Sequence, residues 1–157
     1  MICGTWHFSF TVSDLERAVE WYTNVLGLEF VRGQEQNNAY TRALVGIADA
    51  HLKIAQLCIP GTPLGHSQHH LELVEYVVPR GQMLDLTTNN PGVAHLAFQV
   101  EDIHAEFERM RSLGVRFKSP APNGITEGVN QGGYSIYFFD PDGITLELVQ
   151  PPHSATL

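Results

Sequence analysis

The chain has 157 residues, with 17 acidic side chains against 9 Lys and Arg, a formal net charge of −8 and 43% apolar residues. This length suits one globular domain with its own core, while a net negative charge with so few cations excludes nucleic acid and anionic membrane surfaces as partners. No segment approaches the roughly 18 apolar residues of a membrane span, and the start lacks a signal peptide's charged region, so a cytoplasmic protein is expected.

The first half of the chain predicts a strand, a helix and three further strands. Apolar and polar residues alternate over 8–13, which is the period of a half-buried strand. Ser13 begins a Ser-x-x-Glu capping box, and the apolar stripe of the following helix ends at Gly27. Helical spacing over 40–47 predicts a short extra helix before a strand at 51–59, and the Leu-Glu-Leu-Val quartet at 71–74 predicts the closing strand.

The second half repeats this pattern. Residues 92–103 align without a gap with residues 4–15, and a second Leu-Glu-Leu-Val quartet stands at 146–149. Such self-similarity indicates a duplicated structural unit. We therefore predict one domain over 1–157, built from two modules of strand, helix and three strands at about 4–79 and 92–151. A polar linker at about 80–91 joins the modules, and a tail at 152–157 follows.

Strand alternation places four polar side chains on the faces opposite the predicted helices. These are His7, Glu72, His95 and Glu147, at equivalent positions of the two modules. Two imidazoles and two carboxylates suit a divalent metal with open coordination positions, which can act as a Lewis acid on a substrate oxygen. Glu75 is the alternative to Glu72, but its parity places it with the helix-facing leucines of the same strand.

Other candidates receive weaker interpretations. The remaining histidines are expected on the surface: His66, His69 and His70 in a Gly/Pro-rich loop, and His51, His104 and His153 elsewhere. Aromatic candidates for a pocket lining are Tyr76, Tyr134 and Phe138, and ordinary surface charge is expected of Arg42, Lys53, Arg80 and Lys118. The Gly- and Asn-rich segment 124–133 is a candidate lid because its glycines permit movement.

Several motifs carry a resemblance to a known family. They are His7 before Phe-x-Phe-x-Val, Trp21-Tyr22 before Leu-Gly-Leu, the two Leu-Glu-Leu strands, Gly92-Val93-Ala94-His95, and Phe-Asp-Pro-Asp-Gly at 139–143. With these motifs the chain resembles the vicinal oxygen chelate superfamily, which includes glyoxalase I, methylmalonyl-CoA epimerase, extradiol dioxygenases and the fosfomycin- and bleomycin-resistance proteins.

The resemblance implies an α+β fold, in which two βαβββ modules form a curved, half-open mixed β-barrel with helices packed outside. It also implies a homodimer, a small-molecule substrate and one divalent ion, namely Ni, Co, Zn, Mn or Fe. The family's metal ligands fall on His7, Glu72, His95 and Glu147, the same four residues that strand alternation selects.

The reaction is inferred from the ligand set. A full His/Glu/His/Glu set resembles glyoxalase I and approaches the epimerases, which implies a lyase or isomerase that moves a proton next to a metal-bound carbonyl of a small substrate or thioester. Glu147 and Glu72 are then the catalytic candidates. After Glu72 the chain has Leu-Val-Glu-Tyr where glyoxalase I has a Thr-x-Asn-Trp-like segment. An extradiol-type non-haem iron dioxygenase and a non-catalytic small-molecule binding or resistance protein are the alternatives.

Overall fold

A computed structural model describes residues 1–152 of the chain. The chain divides into two compact units, Met1–Met83 and Leu84–Leu157, and the division falls within the predicted linker. The predicted tail beyond Pro152, which includes His153, lies outside the described residues. No helix within residues 1–152 has both the length and the apolar character needed to cross a membrane.

The first unit is a four-stranded mixed sheet with two helices. Its elements are β1 (Phe8–Thr11), α1 (Leu15–Asn24), β2 (Glu29–Gln36), α2 (Ala39–Val45), β3 (His51–Cys58) and β4 (Leu71–Val78). The strands lie in the order β1-β4-β3-β2. β1 runs parallel to β4, and the other neighbours are antiparallel. The short extra helix predicted before β3 is present as α2.

The second unit repeats this strand order. Its elements are β5 (Leu96–Gln99), α3 (Ile103–Ser112), β6 (Arg116–Phe117), β7 (Asn123–Gly124), β8 (Tyr134–Phe139) and β9 (Thr145–Gln150). The order is β5-β9-β8-β6, and β7 also pairs with β8. β5 runs parallel to β9, as β1 does to β4. The predicted α+β class with mixed sheets is confirmed, and two short strands replace the single long β2 of the first unit.

In the first unit, the helix-facing side of the sheet follows the predicted strand parity. Leu71 and Leu73 are fully buried on β4, and α1 contacts this strand. Glu75 lies on the same side, because its Oε2 accepts a hydrogen bond of 3.0 Å from the backbone N–H of Leu15 at the start of α1. The carboxylate therefore stabilises the helix terminus, and it does not share a face with Glu72.

In the second unit, α3 buries an apolar stripe of Ile103, Phe107 and Met110. The Phe107 ring lies 4.7 Å from that of Phe117 on β6, which in turn lies 5.9 Å from Phe138 on β8. Leucines on β9 are also fully buried. These contacts identify the side of the β8 and β9 strands that packs under the helix, and so leave Glu147 on the other side.

Asp102 is the N-cap of α3, where its Oδ1 accepts hydrogen bonds of 3.0 Å from the backbone N–H groups of His104 and Ala105. Asp102→Ala leaves both donors without this acceptor, so we expect a loss of about 1 kcal/mol in the free energy of unfolding. Urea denaturation will measure the loss. Asp102→Asn, which keeps the acceptor oxygen, is the control, and an alanine variant as stable as the asparagine variant would contradict the assigned cap.

Candidate metal site

The first unit brings one predicted His–Glu pair together. The parallel pairing of β1 with β4 sets Ser9 opposite Glu72. His7 lies two residues before Ser9, and its Nε2 is 3.7 Å from Glu72 Oε1. The side chains are 27% and 15% exposed, so both are reachable from solvent while neither is fully hydrated.

The second unit contains the same arrangement. Ala97 pairs with Glu147 across the parallel β5–β9 ladder. His95, two residues before Ala97, has its Nε2 at 3.2 Å from Glu147 Oε2. The parity of both pairs is the one that alternation in the sequence predicts, whereas the binding of a single ion by all four residues stays a prediction.

A tight turn sets the register of β9 and hence the position of Glu147. Asp140 is buried, and its Oδ1 accepts from the backbone N–H groups of Asp142 at 2.9 Å and Ile144 at 2.8 Å. Gly143 follows with φ +83°, a conformation that favours glycine. The Asp-Pro-Asp-Gly sequence thus fixes where β9 begins, and Glu147 comes to lie opposite Tyr137 on β8.

Within each His–Glu pair, the nitrogen and the oxygen are close enough for both to bind the same metal ion. Ligand atoms bound to a common ion at about 2.0–2.2 Å each lie no more than about 4.4 Å apart. The nitrogen-to-oxygen distances of 3.7 Å and 3.2 Å satisfy this limit. Imidazole nitrogen and carboxylate oxygen are also the ligands that divalent transition metals accept. The residues present therefore fit a metal ion.

The expectation that His69 lies on the surface is wrong. Its side chain is 1% exposed, and its Nε2 lies 3.1 Å from His7 Nδ1 and 3.9 Å from Glu72 Oε2. His7, His69 and Glu72 each offer a ligand atom, and these atoms all lie within 4.8 Å of one another. His66 is exposed as predicted, and His70 is half-buried, its Nδ1 accepting from the backbone N–H of Ile59.

A turn directs His69 inward, and its geometry explains why sequence reasoning missed this residue. Gln68 has φ 61°, in the left-handed region that glutamine seldom adopts. His69 follows in a loop, where neither strand nor helix periodicity predicts the direction of a side chain. The one available signal is its position shortly before the closing strand that carries Glu72.

A second network holds Glu72 from the neighbouring strand. Gln56 is buried on β3, pairs with Glu72 in register, and its Nε2 donates to Glu72 Oε2 at 3.0 Å. Arg32 Nε donates to Gln56 Oε1, and its Nη2 donates to the Ser67 carbonyl at 3.4 Å. Glu72 Oε2 is thereby engaged, while Oε1 faces His7. Sequence reasoning had selected neither Gln56 nor Arg32.

Tyr137 takes the corresponding position beside Glu147. Its ring centroid lies 5.1 Å from that of His95, and the Lys118 ammonium lies 5.7 Å from the Tyr137 centroid. Burial and the charge of Glu147 raise the pKa of the Tyr137 phenol. The phenol therefore stays protonated at neutral pH and can donate a hydrogen bond beside the carboxylate.

The prediction that Phe138 and Tyr134 line the pocket is wrong, because both lie on the side of β8 that faces α3. Phe138 pairs with Leu146 and is fully buried on the α3 side of the sheet. Tyr134 shares this parity and lies with its ring centroid 5.0 Å from that of His104 on α3. Tyr137 faces Glu147 instead, because the two strands are in register at that residue.

Tyr76 behaves differently from these two aromatic residues. It has the same strand parity as Glu72 and packs against the apolar cluster of Leu52, Ile54 and Val74, together with Val45. The face that carries Glu72 therefore has a polar end near His7 and an apolar end near Tyr76. Because Leu52, Ile54 and Val74 are buried, the apolar end is part of the core of the first unit.

The cations and the candidate lid also have defined positions. Arg80 lies with its Nη2 3.8 Å from Glu75 Oε1, and both line a cleft with Lys53 on the helix side, away from Glu72. Arg42 Nη2 donates to Asn37 Oδ1 at 2.6 Å. Segment 124–133 is closed at its base, where Ile125 exchanges backbone hydrogen bonds with glycines near its end. Movement of this segment stays a prediction.

Known proteins resemble the chain over almost its whole length. It is 38% identical over 155 residues to a 2-epi-5-epi-valiolone epimerase from Actinomyces sp., covering 95% of this chain and 80% of that protein. A lactoylglutathione lyase from Haemophilus influenzae is 27% identical over 147 residues, covering 92% and 90%. These relatives are named as enzymes.

Solved structures share the fold. A glyoxalase family protein from Bacillus cereus aligns with a TM-score of 0.74 at 19% identity, covering 93% of this chain and 92% of that one. A fosfomycin resistance protein from Listeria monocytogenes aligns with a TM-score of 0.61 at 23% identity over the whole of both chains.

The family assignment follows from the extent of the sequence match together with the repeated architecture. The model of the glyoxalase/bleomycin resistance protein/dioxygenase superfamily matches residues 5–148. That range includes the β1–β4 pair, the β5–β9 pair as far as Leu148, and all four residues of the His–Glu pairs. The chain belongs to the glyoxalase/bleomycin resistance protein/dioxygenase superfamily.

Proposed function

We propose that the chain is a divalent-metal-dependent epimerase, which inverts a carbon next to the carbonyl of a small ketone. His7, Glu72, His95 and Glu147 bind one metal ion in this proposal. The observation that carries it is the His–Glu pair at the same place in each unit, with separations of 3.7 Å and 3.2 Å. The identity of 38% with an epimerase supports the choice of reaction.

The proposed chemistry is a transfer of a proton at carbon. When bound, the ion polarises a substrate carbonyl oxygen and so makes the adjacent C–H more acidic. Inversion requires that a base takes the proton from one face of the carbon and an acid returns a proton to the other. Glu72 and Glu147 supply one carboxylate from each unit for these two steps, acting as ligands that also exchange protons.

Hydrogen-bonding groups beside the carboxylates support these roles. Gln56 donates to Oε2 of Glu72, so that this side chain is held with its other oxygen toward His7. The protonated phenol of Tyr137 lies beside Glu147 and can donate to a substrate oxygen. Such preorganised donors stabilise negative charge as it develops on the substrate.

A lactoylglutathione lyase is the second candidate, because relatives with that name match most of the chain. The residues after Glu72 favour the epimerase. The two polar positions of the Thr-x-Asn-Trp-like segment of glyoxalase I fall on Leu73, which is fully buried, and on Glu75, which accepts from the backbone N–H of Leu15, so neither side chain shares the face of Glu72. Both reactions use the same proton-transfer chemistry, so the substrate decides between them.

The test combines metal analysis with proton exchange. Protein purified without added metal is analysed for its elements and incubated in D₂O with 2-epi-5-epi-valiolone, and separately with methylglyoxal and glutathione. We expect one divalent ion per chain, and deuterium at the carbon next to the carbonyl as the epimer forms. A chelator should abolish the exchange, and added metal should restore it.

Other outcomes identify the alternatives. Formation of lactoylglutathione alone would establish the lyase. Oxygen consumption with a catechol by an iron-loaded protein would establish the dioxygenase, and ligand binding without metal or turnover would establish a binding protein. We also propose a homodimer, which light scattering after size-exclusion chromatography will test.

A further inference from the structure

We propose that His69 is a positioning residue, which holds the His7 imidazole in the tautomer that carries its proton on Nδ1. The lone pair of His7 Nε2 is then directed toward Glu72, ready to bind a metal ion. This inference rests on the proposed role of His7 as a metal ligand, and it does not depend on the substrate or the reaction.

The hydrogen bonds of His69 determine where its proton resides. His69 Nδ1 lies 2.8 Å from the carbonyl oxygen of Ser67. A carbonyl can only accept, so Nδ1 carries the proton, and the Nε2 of the neutral ring has a lone pair. This Nε2 lies 3.1 Å from His7 Nδ1. His7 Nδ1 therefore donates the hydrogen bond between the two rings.

The position of the His7 proton follows from this bond. With the proton on Nδ1, the Nε2 of neutral His7 is unprotonated, and it faces Glu72 Oε1 at 3.7 Å. The opposite tautomer would set two lone pairs against each other across 3.1 Å. Since His69 is 2% exposed, its buried Nε2 would be left without the hydrogen bond from His7, which is unfavourable.

The turn that carries His69 is itself tightly held. Ser67 is buried, and its Oγ donates to the His69 carbonyl at 2.9 Å. Gln68 adopts φ 61°, and both its backbone N–H and its side-chain amide donate to the Gly65 carbonyl. Backbone strain of this kind persists where the surroundings enforce it, often beside functional groups. Here the turn places a ring nitrogen of His69 beside His7.

Direct metal binding by His69 is the competing interpretation. Its Nε2 is closer to His7 Nδ1, at 3.1 Å, than to Glu72 Oε2, at 3.9 Å. That carboxylate oxygen already accepts from Gln56 at 3.0 Å. The distances therefore favour a partner of His7 over a further ligand. Ile144 stands at the matching position before Glu147 and offers no ring nitrogen, so the two proposed histidine ligands are held differently.

The first test reads the tautomers directly. Long-range ¹H–¹⁵N NMR of metal-free protein labelled at histidine distinguishes protonation at Nδ1 from protonation at Nε2. We expect His7 and His69 both to carry the proton on Nδ1. His7 with its proton on Nε2, or averaging between the two tautomers, would overturn the proposal. Single His7→Ala and His69→Gln variants assign the signals.

The second test measures Zn²⁺ affinity by competition with a chelator. His69→Phe keeps a ring but removes the acceptor, and loss of such an outer partner weakens metal binding by about 10- to 100-fold. His69→Gln retains an acceptor oxygen and should bind close to wild type, as should His66→Gln, because His66 is exposed. Circular dichroism checks that each variant is folded.

The outcomes separate this inference from the proposed function. Wild-type affinity in His69→Phe would overturn the positioning role, and equal losses in His69→Phe and His69→Gln would show direct ligation instead. A protein that binds Zn²⁺ with the expected tautomers but epimerises nothing would refute only the proposed reaction. A wild-type protein without Zn²⁺ affinity would refute the metal site, while the tautomers still report on His69.

Discussion

Glu147→Gln and Glu72→Gln should each lower kcat for epimerisation by about 10²- to 10⁴-fold, the usual contribution of a positioned acid or base. Glutamine keeps the shape of the side chain and one ligand oxygen, but it cannot take up the substrate's proton. Each carboxylate lies beside a histidine of its own unit, so the two substitutions remove equivalent groups. The effect should therefore fall on turnover more than on metal content.

Deuterium exchange separates the two carboxylates. If each serves one face of the carbon, each variant should fail to abstract the proton from one epimer and retain exchange with the other. Kinetics from both epimers in D₂O, with metal content measured alongside, will show this. Glu75→Gln is the matched control, because Glu75 is on the same strand but faces α1, where a glutamine oxygen can still accept from Leu15.

Full turnover in both variants at normal metal content would contradict the proposed roles of Glu72 and Glu147. Loss of exchange from both epimers in one variant alone would indicate a single base that serves both faces. A loss in Glu75→Gln as large as in the other two would mean that the effect arises from the fold of the first unit and not from chemistry at the site.

The His–Glu pairs were predictable because they depend on two regular features of the sequence. Alternation assigns each residue of a strand to one face, and the internal repeat assigns the same face to His7 and His95. The parallel ladders then place Ser9 opposite Glu72 and Ala97 opposite Glu147. Each ladder joins neighbouring strands of one unit, so local patterns were sufficient.

The features that sequence reasoning missed depend on irregular or long-range geometry. His69 points inward because the backbone of Gln68 is in the left-handed region. Glutamine seldom adopts this conformation, and no residue pattern indicated it. Phe138, predicted to line the pocket, lies on the α3 side, and Tyr137 faces Glu147, because the parity of β8 depends on the register set by the turn at Asp140. Gln56 reaches Glu72 from a neighbouring strand, and only the cross-strand register reveals that contact.

His95→Ala should weaken Zn²⁺ binding as strongly as His7→Ala if one ion is bound by residues of both units. Loss of an outer partner of a ligand lowers metal affinity by up to roughly 100-fold, and removal of a direct ligand should lower the Zn²⁺ affinity by at least as much. His104→Ala is the control, because this exposed histidine of the second unit lies on α3, near Tyr134. Competition with a chelator, on variants shown to be folded, gives the affinities.

The contrary result would change both the site and the reaction. If His95→Ala binds as tightly as wild type while His7→Ala does not, and His69→Phe and His69→Gln lose affinity equally, the ion is bound by the first unit alone, through the group of His7, His69 and Glu72. Two histidines and one carboxylate form the set that non-haem iron oxygenases use. Iron content and oxygen uptake would then be the next measurements.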